Sequence, residues 1–270
     1  MPDLPTLLAR ARTHADTSQE LEKKYTCKMT VIGDELDSKG NKKGTHSDEF
    51  LVYFVNKVEV HQHVAHDGKP LSDSDSKKEQ ERLDKLTAEI KAGKTKPSGG
   101  TVIHISSLLK QAKAGPPQRE IINGRPTLRF EYSGDPDARA SDMPEEVMKK
   151  LTGTVWIDEE DASIIRIAGK LMENYKVGGG LVVNIKAGSN FEYEAERVHD
   201  EVWFTHHITV HGDGRFLLFK GVDFNQDITF SDYRKMKATV TVLPGAQVID
   251  DSGNPIPDIT TPPAQPTPKP

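Results

Sequence analysis

The stretch FEYEAERVHDEVWFTHHITVHG, residues 191–212, decides the fold. In its first part Phe191, Tyr193 and Ala195 fall on one side, and Glu192, Glu194 and Glu196 on the other. Apolar residues at a period of two mark a half-buried antiparallel strand. The same alternation predicts that Val202, Phe204, Ile208 and Val210 share one face, with His206 among them. Further on, FLLFKGVDFNQDITFSDYRKM (216–236) places Val222, Phe224, Ile228 and Phe230 opposite Asp223, Asn225, Asp227, Thr229 and Ser231. Gln226 interrupts that apolar side. Buried amides and imidazoles need hydrogen-bond partners, so Gln226 and His206 read as satisfied core groups or as polar contacts to a ligand.

Working outward, the pattern extends into a meander. GTVWIDEEDASIIRIAGKL (153–171) reads as two strands around an acidic turn, Asp158–Asp161, expected to be solvated. REIINGRPTLRFEYSG (119–134) reads as two strands around Asn123-Gly124, a strong tight-turn signal. Between them Asp142, Pro144, Glu145 and Glu146 predict the start of a short helix. KATVTVL (237–243) adds a further strand.

Nearer the N-terminus, Leu4, Leu7, Leu8, Ala11 and Leu21 predict a helix over 3–24, and Tyr25, Cys27, Met29 and Val31 one face of a strand. DSKGNKKG (37–44) is a turn broken by Gly40 and Gly44. In EFLVYFVNKVEVHQHVAHDGKPL (49–71), Phe50, Val52, Phe54, Val58, Val60 and Val64 share a face if the period runs through Asn56. Alternatively, Asn56-Lys57 is a tight turn that splits the run into a hairpin. Leu83, Leu86 and Ile90 form a thin stripe on a charged helix over 73–92, and ISSLLKQAKAG (105–115) reads as a short helix. From Pro244 to Pro270 the chain is proline-rich and reads as a mostly disordered tail.

Bulk properties and motifs exclude several functions. A net charge of -5 gives no electrostatic case for nucleic acid. The single cysteine, Cys27, rules out an internal disulfide and reads as a buried thiol. In KVGGGLVVNIKAG (176–188) Gly178 and Gly180 supply half of a dinucleotide fingerprint, but Val183 stands where the third glycine belongs. The strand-like run after them offers no helix N-terminus for a phosphate, so the glycines read as a bend. His61 and His63 share a strand face with Lys57 and Glu59, which reads as solvated, and His206, His207 and His211 form a second group. No G-x-S-x-G or H-E-x-x-H occurs. No catalytic residue, metal or cofactor is expected.

Three blocks, KLTGTVWIDEEDASIIRIAGKL, YKVGGGLVVNIKAGSNFEYEAERVHDEVWFTHHITVHGDGRFLLFKG and ITFSDYRKMKA, resemble a family of bacterial exported proteins of unknown function. That family in turn resembles the outer-membrane lipoprotein-sorting carriers, the LolA/LolB-like group. The resemblance implies an α+β fold: a curved antiparallel β-sheet, an incomplete barrel, with helices covering its concave side. It implies one domain over residues 1–243, followed by the tail at 244–270. It further implies a non-enzymatic periplasmic binding or carrier protein for a lipid, a lipoprotein or another hydrophobic ligand. On that reading Phe191, Tyr193, Phe204, His206, Phe224, Gln226, Ile228 and Phe230 line the ligand face. The expected partners are an acyl chain or hydrophobic small molecule and an envelope protein, with no nucleic acid and no transmembrane segment. MPDLPTLLARARTHAD lacks the features of a signal peptide, so export implies a leader already removed, and the cytosol stays open. The alternative is a cell-envelope interaction module with no ligand cavity.

Overall fold

The computed structural model describes residues 4–36, 42–94, 111–177, 183–199, 201–216, 219–223 and 225–236. Its elements are α1 (Leu4–Glu22), β1 (Tyr25–Leu36), β2 (Lys42–Val55), β3 (Val58–His66), β4 (Lys69–Pro70) and α2 (Asp73–Lys91). There follow β5 (Ala112–Ala114), β6 (Gln118–Ile122), β7 (Arg125–Gly134), α3 (Met143–Met148), β8 (Leu151–Asp158) and β9 (Ile164–Leu171). The chain continues with β10 (Tyr175–Val177), β11 (Val183–Ile185), β12 (Asn190–Val198) and β13 (Val202–His211). The last elements are β14 (Asp213–Phe216), β15 (Phe219–Asp223) and β16 (Gln226–Lys235).

Twelve strands form one antiparallel sheet in the order β4-β3-β2-β1-β16-β13-β12-β9-β8-β7-β5, with β6 also paired to β7. The order does not return on itself, so the sheet is open rather than a closed barrel. A second sheet runs β10-β11-β14-β15. The backbone divides into two compact units, each of which has its own apolar cluster.

The larger unit comprises Met1–Glu22, Thr30–Ser47 and Gly99–Ser231. Its core joins Leu7 and Ala11 of α1 to Leu128, Phe130, Val155, Ile157, Ile167 and Phe191 on the strands. The helical spacing of Leu7 and Ala11 turns both toward the sheet, where each is 1% exposed. The Asn123-Gly124 turn forms as expected, with φ of 51° and 78°, left-handed values that Asn and Gly tolerate best. Asp142 caps α3 by accepting from the Glu145 N–H at 2.9 Å.

The smaller unit comprises Lys23–Met29, Asp48–Ser98 and Asp232–Pro270. Asn56 and Lys57 have φ of 48° and 67°, so the tight-turn alternative holds and β2–β3 is a hairpin. The face packed with Leu83 and Ile90 of α2 then carries Tyr53, Val55, Val58 and Val60. The continuous face running through Phe50, Val52 and Phe54 to Val58 is therefore corrected, because the turn re-phases the chain. Ser72 caps α2, accepting from the Asp75 N–H at 3.2 Å while its hydroxyl donates to the Asp75 carboxylate at 2.7 Å. Ser72→Ala is expected to lower stability by about 1 kcal/mol, read as a shifted urea midpoint with an unchanged slope.

Three further expectations change. The helix over 105–115 does not hold at its C-terminal end, where Ala112–Ala114 form β5 and pair with Tyr132–Gly134. Gly44 lies inside β2 rather than breaking a turn. The single run through 216–236 is split between β15 and β16, which belong to different sheets. The bend at Gly178–Gly180, the strand at 237–243, the tail and Phe224 lie outside the described residues. Val183–Ile185 is a strand, as the phosphate-free reading requires. Among the described residues no helix is long and apolar enough to cross a membrane.

Candidate functional site: a two-faced sheet

Strand register in the larger unit organises both faces of the sheet. On one face, direct cross-strand pairing runs Phe130–Val155–Ile167–Tyr193–Ile208–Ile228 through β7, β8, β9, β12, β13 and β16. The adjoining row runs Tyr132–Gly153–Gly169–Phe191–Val210–Gln226. Facing pairs of this kind are the unit from which sheets gain side-chain stabilisation. The first three members of the first row are buried, whereas Tyr193 and Ile208 are partly open. In the second row burial falls from Tyr132 and Phe191 to Val210 and then to exposed Gln226.

The glycines make room for aromatic rings. A Cβ on Gly169 would stand 2.3 Å from Phe191 Cε1 and 2.6 Å from the Tyr132 hydroxyl. Those two side chains therefore lie over the bare backbone of β9. The Tyr132 hydroxyl is enclosed and has no hydrogen-bond partner among the described residues. Burial pushes that phenol above its ordinary value. Tyr193 is also shifted upward by burial, although its bond with Thr205 works in the other direction.

The opposite face is charged. Its pairing runs Arg129–Trp156–Arg166–Glu194–His207–Thr229. Arg129 and Arg166 flank the Trp156 ring at 6.0 and 5.1 Å, a cation–π arrangement. Arg166 pairs with Glu192 at 2.8 Å, and His207 with Asp227 at 2.9 Å.

Of the residues expected to line an apolar face, Phe191, Tyr193, Gln226 and Ile228 fall on the two apolar rows, and alternation along β16 puts Phe230 beside them. Phe204 and His206 do not join them. Ala195 pairs with Thr205 while Glu194 pairs with His207, so His206 is an extra residue in a β-bulge. The bulge inverts the alternation, leaving Val202 and Phe204 on the face opposite Ile208 and Val210. Phe204 is still buried, on that other face. His206 sits with its Nδ1 3.2 Å from Glu196 and is not part of the apolar layer. Gln226 is exposed rather than a buried amide.

The acidic turn is also corrected. Asp158 is 0% exposed. It accepts from Arg125 Nε at 2.5 Å and Nη2 at 2.9 Å, and from the N–H groups of Glu160 and Asp161 at 3.0 and 2.9 Å. Burial acts to raise its carboxyl, but the Arg125 bonds, backbone donors and attraction to the guanidinium together hold it below the ordinary value. Asp161 accepts from Arg125 at 3.0 Å and from the Trp203 indole at 2.8 Å. All of these bonds are internal, which marks a structural clasp rather than an acid–base pair. Among the described residues, one set of three side chains has the convergence a metal ion needs: Asp48, His63 and His66 in the smaller unit.

These features define the class: an α+β protein built on an open antiparallel sheet that, in the larger unit, has one apolar face and one face carrying most of the charged pairs. No family model and no curated protein sequence matches the chain. Solved structures do match, among them one of the LolA superfamily. One is described as an outer membrane lipoprotein-sorting protein domain from Vibrio parahaemolyticus, at 11% identity and a TM-score of 0.37, covering 86% of this chain and 94% of that one. A LolA superfamily protein from Nitrosomonas europaea matches at 9% identity and a TM-score of 0.33, covering 84% and 94%. A DUF1329 family protein from Desulfovibrio piger matches at 9% identity and 0.31, covering 88% and 95%.

Proposed function

We propose that the protein is a non-enzymatic binding or carrier protein of the periplasm or cell envelope, taking a ligand with an acyl-like apolar body, such as a lipid or the acyl chain of a lipoprotein. One observation carries this reading. The apolar rows do not end where the core is sealed but run on through Tyr193, Ile208 and Val210, which stay partly open. Apolar area left at the water boundary forgoes roughly 25 cal/mol per Å², which a ligand chain laid along these residues recovers. Phe191, Ile228 and Phe230 support that strip from the same face, and Gln226 stands at its exposed end as a polar contact.

The test is uptake of a dansyl-labelled fatty acid by delipidated protein. The expected result is a blue-shifted emission that unlabelled fatty acid competes away. Val210→Asp is expected to weaken uptake at least tenfold with an unchanged circular-dichroism spectrum. Wild-type protein that takes up no labelled acid sinks the carrier reading and favours an envelope interaction module without a ligand cavity.

A further inference from the structure

A second feature, in the smaller unit, is independent of the apolar face. Along β3, His63 and His66 are three positions apart, so unbroken alternation sends them to opposite faces. The β2–β3 ladder is not unbroken. Glu49 pairs with Ala65 but Phe50 pairs with His63, which leaves Val64 as an extra residue. This bulge re-phases the strand and brings both imidazoles to the face that carries Asp48 and Phe50. His66 stands directly opposite Asp48, and His63 directly opposite Phe50.

The result is a convergent set. Asp48 Oδ1 lies 2.9 Å from His63 Nε2 and 2.7 Å from His66 Nδ1, and one ligand atom from each residue falls within 4.8 Å of the other two. We propose that Asp48, His63 and His66 form a binding site for a divalent transition-metal ion of the zinc, copper or nickel kind. Two imidazole nitrogens and one carboxylate oxygen suit ions of intermediate softness, and three protein ligands leave at least one position for water or an exogenous group. Ligand atoms on a tetrahedral zinc at about 2.0–2.1 Å bond length are separated by roughly 3.3 Å. The two spacings to Asp48 need to open by only about half an ångström to reach it.

The surroundings prepare the site. The His66 Nε2, remote from the proposed metal, has the Asp67 carboxylate 3.5 Å away, on the side from which a carboxylate can orient a metal-binding imidazole. The His63 ring stacks on Phe50 with centroids 5.0 Å apart. The His63 backbone N–H donates to Glu79 at 2.8 Å, and Arg82 holds Glu79 in turn at 2.7 Å, tying β3 to α2. His61, the sequence-adjacent candidate, is held instead by Glu59.

The experiment is calorimetric titration of the full chain with Zn²⁺, together with electron paramagnetic resonance of the Cu²⁺-loaded protein. One equivalent of zinc is expected, with two nitrogen couplings in the copper spectrum. His63→Ala and His66→Ala are each expected to weaken binding at least tenfold, because even outer groups around a metal are worth about 10–100-fold. His61→Ala and His211→Ala are expected to leave it unchanged. Zinc affinity that survives the His63→Ala/His66→Ala double variant, or that falls with His211→Ala instead, overturns the assignment. Absence of any binding does so as well. If a variant fails to fold, the copper spectrum of the wild-type chain decides: fewer than two nitrogen couplings rejects the site.

Discussion

A urea titration of Arg125→Met is expected to show a loss of about 3–5 kcal/mol, the cost of leaving a buried carboxylate without its partner. Asp158 has no exposed surface and takes two bonds from the one guanidinium. Without Arg125 its remaining donors are the N–H groups of Glu160 and Asp161. The pH dependence separates this from simple loss of packing. In the wild type the Asp158 carboxyl is depressed. The stability it contributes is therefore complete above the unfolded value near about 3.9 and is lost as pH falls through the lower folded value. In Arg125→Met burial is opposed only by the backbone donors, so the carboxyl rises and protonation becomes favourable to folding. The gap between variant and wild type should then narrow from pH 7 toward pH 3. A constant gap across that range contradicts the clasp. The double change Arg125→Met/Asp158→Leu should recover only part of the loss, since apolar replacement of a buried pair is often neutral or better but here leaves the Glu160 and Asp161 N–H groups without their acceptor.

That clasp also shows which parts of the structure are legible in the sequence. Alternation identified β12 and β16, and Asn123-Gly124 identified the β6–β7 hairpin, because these signals are local. The burial of Asp158 is not legible in the sequence, because four consecutive acidic residues taken alone describe a solvated turn. Its partner lies 33 residues earlier, at the start of β7. Only the register that sets Thr127 opposite Asp158 brings the two together. Bulges are the second blind spot. One extra residue in β13 moves Phe204 off the expected face, and one in β3 brings His66 onto the face that His61 and His63 share. Nothing in either strand's composition signals the extra residue, because a bulge is a relation between two strands. Tyr132, Gly153 and Gly169 were missed for a similar reason. Their meaning comes from being neighbours, together with Phe191, across four strands, β7, β8, β9 and β12.

Gly153→Ala tests that four-strand relation directly. A Cβ on Gly153 would lie 1.8 Å from the Ala168 carbonyl oxygen, 2.8 Å from the Ala168 carbonyl carbon and 2.9 Å from Gly169 Cα. All three are backbone atoms, so no side-chain rotation relieves the contact. Either β8 and β9 separate locally, breaking ladder bonds between buried strands, or the pair slips. A one-residue slip turns Val155 and Ile157 out of the core. Overpacking ordinarily costs about 1–3 kcal/mol, and the backbone contact places Gly153→Ala at or above the top of that range, the larger of the two glycine effects. At Gly169 the obstructing atoms are the Phe191 ring and the Tyr132 hydroxyl, which are side chains and can be trimmed. Gly169→Ala should therefore be partly rescued by Phe191→Leu, whereas Gly153→Ala should not be rescued by any change at Tyr132 or Phe191. Equal rescue of both glycine variants in urea titrations contradicts the geometry of β8 against β9.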